Sequence, residues 1–395
     1  MRVKKIKNNI WSVGSIDWER RMFDEIVPLP DGTSYNSYLI IGSEKTALID
    51  TVDTHMKDEL LQNLKDLKVE KIDYIISNHA EQDHSGSIPD ILNMFPDAKV
   101  VTNEKCKNML TDLLPLKEDV FKVINDREAL SLGDKTLEFI FAPWVHWPET
   151  MFTYLKEDDI LFSCDFLGSH LATSDLYADF DDYKIYEDAK LYYVEIMMPY
   201  RRFFIKALDM VKELNPSMIA PSHGPVYDKP EKIINLHKKW ISDKVENQVL
   251  LFWVSMHGST KEMVDHLENE LIKRGLGVKK FNLVTADFAR LAMSMVDAAT
   301  LVLATPVVLG GAHPSAVYAA YLAGILKPKI KFASIIGSYG WGSKMIDQIA
   351  GLLKNTKMEI LDPVLSKGAA DKDSYLKLDK LADEILKKHQ QEGLL

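Results

Sequence analysis

The 395-residue sequence predicts two consecutive α/β domains. The first, residues 1–246, reads as a two-sheet sandwich flanked by helices; the second, residues 247–395, as a doubly wound parallel sheet. Three observations predict this. Short β-like runs and turn signals fill the first half, with helical periodicities between them. After about residue 247 the rhythm becomes strictly β-α-β-α. A polar stretch, 242–247, stands between the two as the candidate linker. At about 150 residues per domain, the length suits two or three domains.

In the first half the β-like runs are 38–41, 46–50, 72–77, 136–142, 160–165 and 218–222, the second preceded by the turn Gly42-Ser43-Glu44-Lys45. Helical patterns interrupt them at 56–67 and 189–214. In the second half 249–255 is a continuous apolar strand. It is followed by a helix over 260–274 that carries Met263, Val264, Leu267, Leu271 and Ile272 on one face, and Gly275 supplies its stop. Strands at 278–283, 300–305, 331–337 and 358–364 alternate with helices near 314–326, 343–353 and 371–388. Five such strands make one mononucleotide-binding domain.

Composition removes several functions. With 48 basic and 58 acidic side chains the formal net charge is −10, which opposes nucleic acid or an anionic membrane surface as a partner. Two cysteines, Cys106 and Cys164, are too few for a disulfide framework, a Cys₄ zinc site or a rubredoxin-like iron centre, and they suit a reducing cytoplasm. The basic start (Arg2, Lys4, Lys5, Lys7) leads into a short apolar stretch broken by Ser12, Ser15 and Asp17, unlike a secretory signal. The most apolar run, 298–312, contains Thr300, Thr305 and Pro306 and falls short of the roughly 18 residues a membrane span needs. A soluble cytoplasmic protein is expected.

The most specific feature is Asn78-His79-Ala80-Glu81-Gln82-Asp83-His84-Ser85-Gly86, a polar loop following the strand 72–77. His79, Glu81, Asp83 and His84 are all metal-binding types within six positions. Burying two imidazoles and two carboxylates together is costly without a cation. His146 (in Pro143-Trp144-Val145-His146-Trp147-Pro148), Asp165 and His223 each stand where a strand gives way to a loop. Strand ends in an α/β sandwich share an edge, so these distant segments can meet. Four imidazoles and three carboxylates suffice for two metals, with a carboxylate such as Asp165 between them.

The loop resembles the metallo-β-lactamase superfamily signature, with Glu81 in place of the second histidine of His-x-His-x-Asp-His. That variant, joined to a flavodoxin-like domain, resembles the flavodiiron proteins, and the likeness spans nearly the whole chain. It implies a metallo-β-lactamase-like αββα sandwich. It also implies a ligand set of His79, Glu81 and His146 for one iron, Asp83, His84 and His223 for the other, and Asp165 between them. Three carboxylates against two divalent irons leave a single positive charge. Hard oxygen donors with imidazoles suit iron of changing valence, whereas a hydrolytic zinc pair needs only a fixed Lewis acid. Glu81 therefore tilts the site from hydrolysis toward redox chemistry.

In the second half, Ser255-Met256-His257-Gly258-Ser259-Thr260 lies between a strand and the helix it feeds. It resembles the flavodoxin loop whose hydroxyls and N–H groups wrap the FMN phosphate at a helix N-terminus. His257 departs from the common threonine. Two glycine-containing loops follow later strands: Thr305-Pro306-Val307-Val308-Leu309-Gly310 and Ser338-Tyr339-Gly340-Trp341-Gly342. Both are expected at the carboxyl edge where an open sheet binds its ligand, with Tyr339 or Trp341 able to stack on a flavin. No Gly-x-Gly-x-x-Gly or P-loop motif favours a dinucleotide or a nucleoside triphosphate.

The resemblance implies an oxidoreductase that reduces O₂ to water, NO to N₂O, or both, at two irons, with electrons relayed through FMN. It implies an external donor, a rubredoxin-like protein or coenzyme F420, and a head-to-tail homodimer or a dimer of dimers. Tyr193 falls where the family has a tyrosine near the irons. The alternatives are a binuclear zinc hydrolase with a fused flavodoxin domain and a plain electron-transfer flavoprotein. Cys106, between two lysines, is expected on a helix surface, Cys164 buried, and the segment 19–32 (with Arg20, Arg21, Phe23 and Asp24) over the metal pocket.

Overall fold

Alternation of side chains along short apolar strands gives the N-terminal half two buried faces to fill. In the computed structural model, which describes residues 3–23 and 25–395, the chain divides into two units, Met1–Lys238 and Lys239–Leu395. Asp24 of the 19–32 segment, and Arg2 of the basic start, lie outside the described residues.

The first unit holds a seven-stranded mixed sheet in the order Lys4–Lys7, Ile10–Ser12, Tyr38–Ile41, Thr46–Ile49, Tyr74–Ile76, Lys99–Thr102, Phe121–Val123. A five-stranded sheet runs Ala129–Ser131, Thr136–Phe141, Met151–Leu155, Ile160–Cys164, Met218–Pro221. Ile40, Ile49, Ile76 and Val101 point to one side and meet Phe139, Met151, Phe162 and Ala220 of the other sheet. Their neighbours Leu39, Leu48, Ile75 and Val100 point the other way. These lie under Leu60, Leu64, Ile91, Cys106 and Leu110 of three helices. Phe152 and Phe166 carry the second sheet's outer layer onto Phe204 of helix Arg201–Leu214. The result is helix, sheet, sheet, helix. Each fully buried aliphatic or aromatic side chain contributes about 1.5–3 kcal/mol.

Strands Ile160–Cys164 and Met218–Pro221 are parallel neighbours, with Cys164 opposite Pro221, so the residues that follow them emerge side by side. Those residues include Asp165 and His223.

The second unit has strand order Gly277–Asn282, Glu246–Trp253, Ala298–Val308, Phe332–Tyr339, all parallel. Glu359–Ile360 and Val364–Lys367 both pair with Phe332–Tyr339. This is the doubly wound order of a flavodoxin. Met263, Val264, Leu267 and Leu271 pack with Leu378, Leu381 and Ile385 against one sheet face, and helix Pro314–Leu326 packs on its central strands.

Three expectations change. Residues 189–214 are not one helix. Tyr183–Tyr192 ends in a wide turn, Tyr193–Met197, and a tight one, Met198–Tyr200, before Arg201–Leu214 begins. Pro199 lacks the N–H that a continuous helix would need there. The strand expected over 358–364 is split, because Pro363 cannot donate to the ladder between its two short pieces. Cys106 is buried, not on a surface. Among the described residues no helix is long and apolar enough to cross a membrane.

Candidate metal centre

The polar loop after strand Tyr74–Ile76 is fixed before any of its ligand-type residues is reached. The buried Asp50 carboxylate accepts from the Asn78 backbone N–H at 2.8 Å and from its amide at 2.9 Å, and the Ser222 hydroxyl reaches it at 3.3 Å. Asn78 in turn accepts from the Thr153 hydroxyl. One acid thus ties together the ends of strands from both sheets. Glu81 stands in extended conformation before the single helical turn Gln82–Ser85, which presents Asp83 and His84 inward. Thr51 clamps that turn, donating from its N–H and hydroxyl to the His84 carbonyl.

All seven sequence-predicted ligand residues converge. Glu81 Oε2 lies 3.1 Å from both His79 Nε2 and His146 Nε2. Asp165 Oδ2 lies 3.5 and 3.6 Å from the same two nitrogens. On the other side His84 Nε2 is 3.3 Å from Asp83 Oδ1, and His223 Nε2 is 3.0 Å from Asp83 Oδ2. Asp165 Oδ1 faces these two imidazoles at 3.0 and 3.4 Å. The two oxygens of one carboxylate therefore address two separate donor sets, His79, Glu81, His146 and Asp83, His84, His223.

In the first set Glu81 Oε2 is within hydrogen-bond reach of both imidazoles, but around Asp83 and His84 the donor atoms aim past one another. Both oxygens of Asp83, Oδ2 of Asp165 and both ring nitrogens of His84 are buried without a hydrogen-bond partner, despite contacts as short as 3.0 Å. Buried polar groups left in that state are costly unless a cation satisfies them. Hence the donor set fits a pair of metal ions.

The electrostatics say the same. Burial lowers the pKa of His79, but Glu149, Glu81 and Asp165 more than offset it and hold it well above the ordinary value. His84 is raised in the same way by Asp165 and Asp83 against burial, and His223, desolvated but facing the same two acids, rises to about 10. Glu81 and Asp165 are held below the usual carboxylate range by the surrounding imidazoles, in spite of desolvation. The cavity demands positive charge. Cys164, within reach of His84 and Asp165, is pushed well up by burial and by Asp165, so its thiol stays protonated.

Residues 33–224 match the family model described as ODP family beta lactamase. The chain is 34% identical to a nitric oxide reductase of Moorella thermoacetica over 90% of each chain. It is 32% identical to the flavo-diiron protein FprA2 of Clostridium acetobutylicum, over 90% of this chain and 92% of that one. The chain belongs to the flavodiiron family. Among solved structures it superposes on rubredoxin oxygen:oxidoreductase of the anaerobe Desulfovibrio gigas with a TM-score of 0.94, at 26% identity and covering 100% of both chains.

The tyrosine at this flavodiiron centre is Tyr192, not Tyr193. The Tyr192 hydroxyl donates to Asp165 Oδ1 at 2.8 Å. Tyr193, one position on, turns toward Phe204 and His237. A one-residue step rotates a helical side chain by about 100°, and the helix leaves its regular course at this point.

Two further groups, Glu149 and His170, had no sequence signal strong enough to single them out. Glu149 accepts from the Ala80 N–H at 3.0 Å and lies 2.6 Å from His79 Nδ1. His170 packs on His223 and Tyr192 at 4.8 Å, and its Nδ1 lies 2.9 Å from the Thr33 hydroxyl. Phe23 covers His170 at 5.0 Å, and Trp147 stands edge-on to His79 at the same distance. Phe23 is thus the described member of the 19–32 segment that reaches the ligands.

In the flavodoxin-like unit of this flavodiiron chain, the three glycine-containing loops emerge from adjacent strands. Gly258 adopts φ 96°, and its N–H donates to the Ser255 hydroxyl just before helix Ser259–Lys273. Thr260 Oγ1 lies 3.0 Å from Ser338 Oγ, joining the first loop to the third. The Thr305 hydroxyl accepts from the His313 N–H, closing the second loop over Pro306, Val307, Val308 and Gly310. Met256, His257, Tyr339, Gly340, Trp341 and Gly342 line the same edge, with Trp341 91% exposed.

Proposed function

We propose that this flavodiiron oxidoreductase reduces O₂ to water, NO to N₂O, or both, with electrons relayed through FMN from an external donor. One observation carries the reading: the Asp165 carboxylate is shared between two three-residue donor sets, each already assembled. We assign His79, Glu81, His146 and Asp165 to one iron and Asp83, His84, His223 and Asp165 to the other. Two irons bound there supply redox equivalents and an open position for a diatomic gas.

The chain's own residues do the rest. Glu149 orients the His79 ring. The His223 Nδ1–H donates to the Ser34 carbonyl at 2.7 Å, leaving Nε2 for the cavity. Tyr192 holds Asp165 in the position that serves both sets. Phe23 and Trp147 pack against His223 and His79 at the two ends.

For FMN we assign the phosphate to Ser255, Met256, His257, Gly258, Ser259 and Thr260, where the start of the helix favours an anion. The ring is assigned to Thr305, Pro306, Val307, Val308, Gly310 and the loop from Ser338 to Gly342. Residues 1–246 form the diiron domain and 247–395 the FMN domain in this reading. Leu309 and Trp341 are apolar and almost fully exposed on the FMN edge. A head-to-tail homodimer, alone or paired, would cover them. The donor is a rubredoxin-like protein or coenzyme F420, and two buried free thiols suit the cytoplasm.

The test is anaerobic reduction followed by stopped-flow mixing with O₂ and, separately, with NO. Reoxidation of flavin and metal by at least one gas is expected. Reoxidation by neither, or zinc with ester or lactam hydrolysis, would overturn the reading in favour of the hydrolase.

A further inference from the structure

The segment lying against the second donor set is the loop of a hairpin. Strand Ser15–Asp17 pairs antiparallel with Thr33–Tyr35, Asp17 opposite Thr33, and the chain between them folds back where Met22–Phe23 pairs with Val27–Pro28. The Phe23 ring packs on His170 at 5.0 Å and on His223 at 6.4 Å. Glu81 and His146, on the other flank, stay partly open to solvent, so the hairpin covers one side of the centre.

Little apolar packing holds it there. Among the described residues of 18–32, only Phe23 and Leu29 are buried apolar side chains. They form a small cluster of their own with Ile196, while Trp18, Met22 and Ile26 face solvent. A segment with so few buried contacts sits at the low end of local stability, and its polar fastenings decide whether it stays closed. On the Thr33 side, Thr33 Oγ1 lies 2.9 Å from His170 Nδ1, the Ala172 N–H donates to the Asp31 carbonyl, and Lys184 pairs with the Asp31 carboxylate. On the other side stands Asp17. Its Oδ1 accepts from the Glu19 and Arg20 N–H groups at 3.1 and 3.0 Å, and its Oδ2 lies 2.7 Å from His55 Nε2.

The second ring nitrogen of His55, Nδ1, lies 2.7 Å from Asp53 Oδ1. Two carboxylates thus face the two nitrogens of one imidazole. An imidazolium has two N–H donors and satisfies both; a neutral ring has one, and its lone pair must then face a carboxylate oxygen. Asp53 also accepts the His55 backbone N–H at 3.2 Å and is tied to it by their shared turn, so the contact that gives way is the long-range one to Asp17. Tyr35 stands edge-on to His55 at 5.7 Å and to His223 at 5.9 Å, placing one aromatic wall between the two histidines. We infer that His55 is the latch of this hairpin. As an imidazolium it clamps Asp17 and keeps Phe23 over His223; as a neutral imidazole it frees the Asp17 arm, which swings on the Thr33 side and uncovers the second donor set. His55 touches no ligand and acts as a positioning residue.

The charged and titratable groups around the ring are Asp17 and Tyr35 of the two hairpin strands, Asp53 of its own turn, Arg20 of the loop, and Asp58 and Glu59 at the start of the next helix. Burial alone would lower the pKa of His55, but Asp17 and Asp53 more than offset it and raise it above the ordinary imidazole value. The clamp is therefore complete below the unfolded value of about 6.5 and is lost as pH rises through the folded one.

Hydrogen exchange of the intact protein, corrected for the intrinsic pH dependence of exchange, reads the hairpin directly. Protection of the peptide carrying Glu19, Arg20 and Phe23 should fall at least roughly threefold between about pH 5 and about pH 9, a span that brackets imidazole titration. His55→Arg, charged throughout, should stay protected at both ends, and His55→Gln, uncharged throughout, should be weakly protected at both. At about pH 9 iron should pass to a chelator at least roughly twofold faster from the wild type than from His55→Arg, and at about pH 5 at equal rates. Wild-type protection that ignores pH, an equal fall in His55→Arg, or His55→Gln as protected as the wild type at the acid end overturns the latch. Equal iron loss at the alkaline end overturns the uncovering of the ligands. None of these readouts uses gas reduction, so failure of the proposed activity is a separate result.

Discussion

Glu149 Oε1 stands 2.6 Å from His79 Nδ1, and both side chains are fully buried. The carboxylate fixes the imidazole so that Nε2 faces Glu81 and Asp165. It also raises the basicity of the ring toward whatever Nε2 binds. Glu149→Gln keeps the shape and removes the charge. Metal retention at the His79 set should weaken by about 10–100-fold, read as iron lost to a chelator over time. Loss of iron no faster than in the wild type would remove Glu149 from the centre.

Tyr192 and Tyr193 are adjacent in sequence but differ in surroundings, so their phenylalanine variants should part. Tyr192→Phe deletes the bond to Asp165, which costs about 1 kcal/mol of stability and slows reoxidation by the gas. Tyr193→Phe, packed on Phe204 and His237, should leave the gas reaction within about twofold of wild type. Stopped-flow rates of both variants, normalised to iron content, decide between them.

His237 gives a pH dependence away from the ligands. Burial holds its pKa down to about 4, while its ring lies on Phe204 at an interplanar angle of 15°. The native state keeps this imidazole neutral where the unfolded chain, with a pKa near 6.5, takes up a proton. Its contribution is therefore complete above about pH 6.5 and shrinks as pH falls toward 4, by at most roughly 3 kcal/mol. His237→Phe preserves the stacking and removes the proton. Between pH 7 and 4.5 the wild type should lose more stability than the variant in denaturant titrations, and parallel loss would refute the assignment.

Gly258 occupies a left-handed conformation, φ 96°, immediately before the helix expected to receive the flavin phosphate. A Cβ meets nothing within 4 Å there, so Gly258→Ala is penalised through the backbone alone, by about 1 kcal/mol. FMN affinity, followed by quenching of flavin fluorescence, should fall about fivefold or more. Unchanged affinity would place the phosphate elsewhere.

Much of this architecture was legible in the chain. The apolar run of Glu246–Trp253 and the periodic face from Met263 to Leu271 state a strand and a helix in local terms. His79, Glu81, Asp83 and His84 crowd into six positions because one loop must serve both donor sets. Relationships across space were not legible. Glu149 finds His79 only because strand Met151–Leu155 begins beside the loop. The choice of Tyr192 over Tyr193 depends on helical phase next to an irregular turn. Cys106 lies between two lysines, yet it faces inward with Leu110, four residues on, because helix Glu104–Leu113 turns both lysines outward.

The assignment of two irons to seven side chains is tested most directly by anomalous diffraction at the iron edge, from crystals grown without oxygen. Two iron peaks are expected per chain, roughly 3.5–4 Å apart. One should contact His79, Glu81 and His146, the other Asp83, His84 and His223, with one Asp165 oxygen on each. A single peak, a signal at the zinc edge alone, or an Asp165 carboxylate turned away from both ions would contradict it.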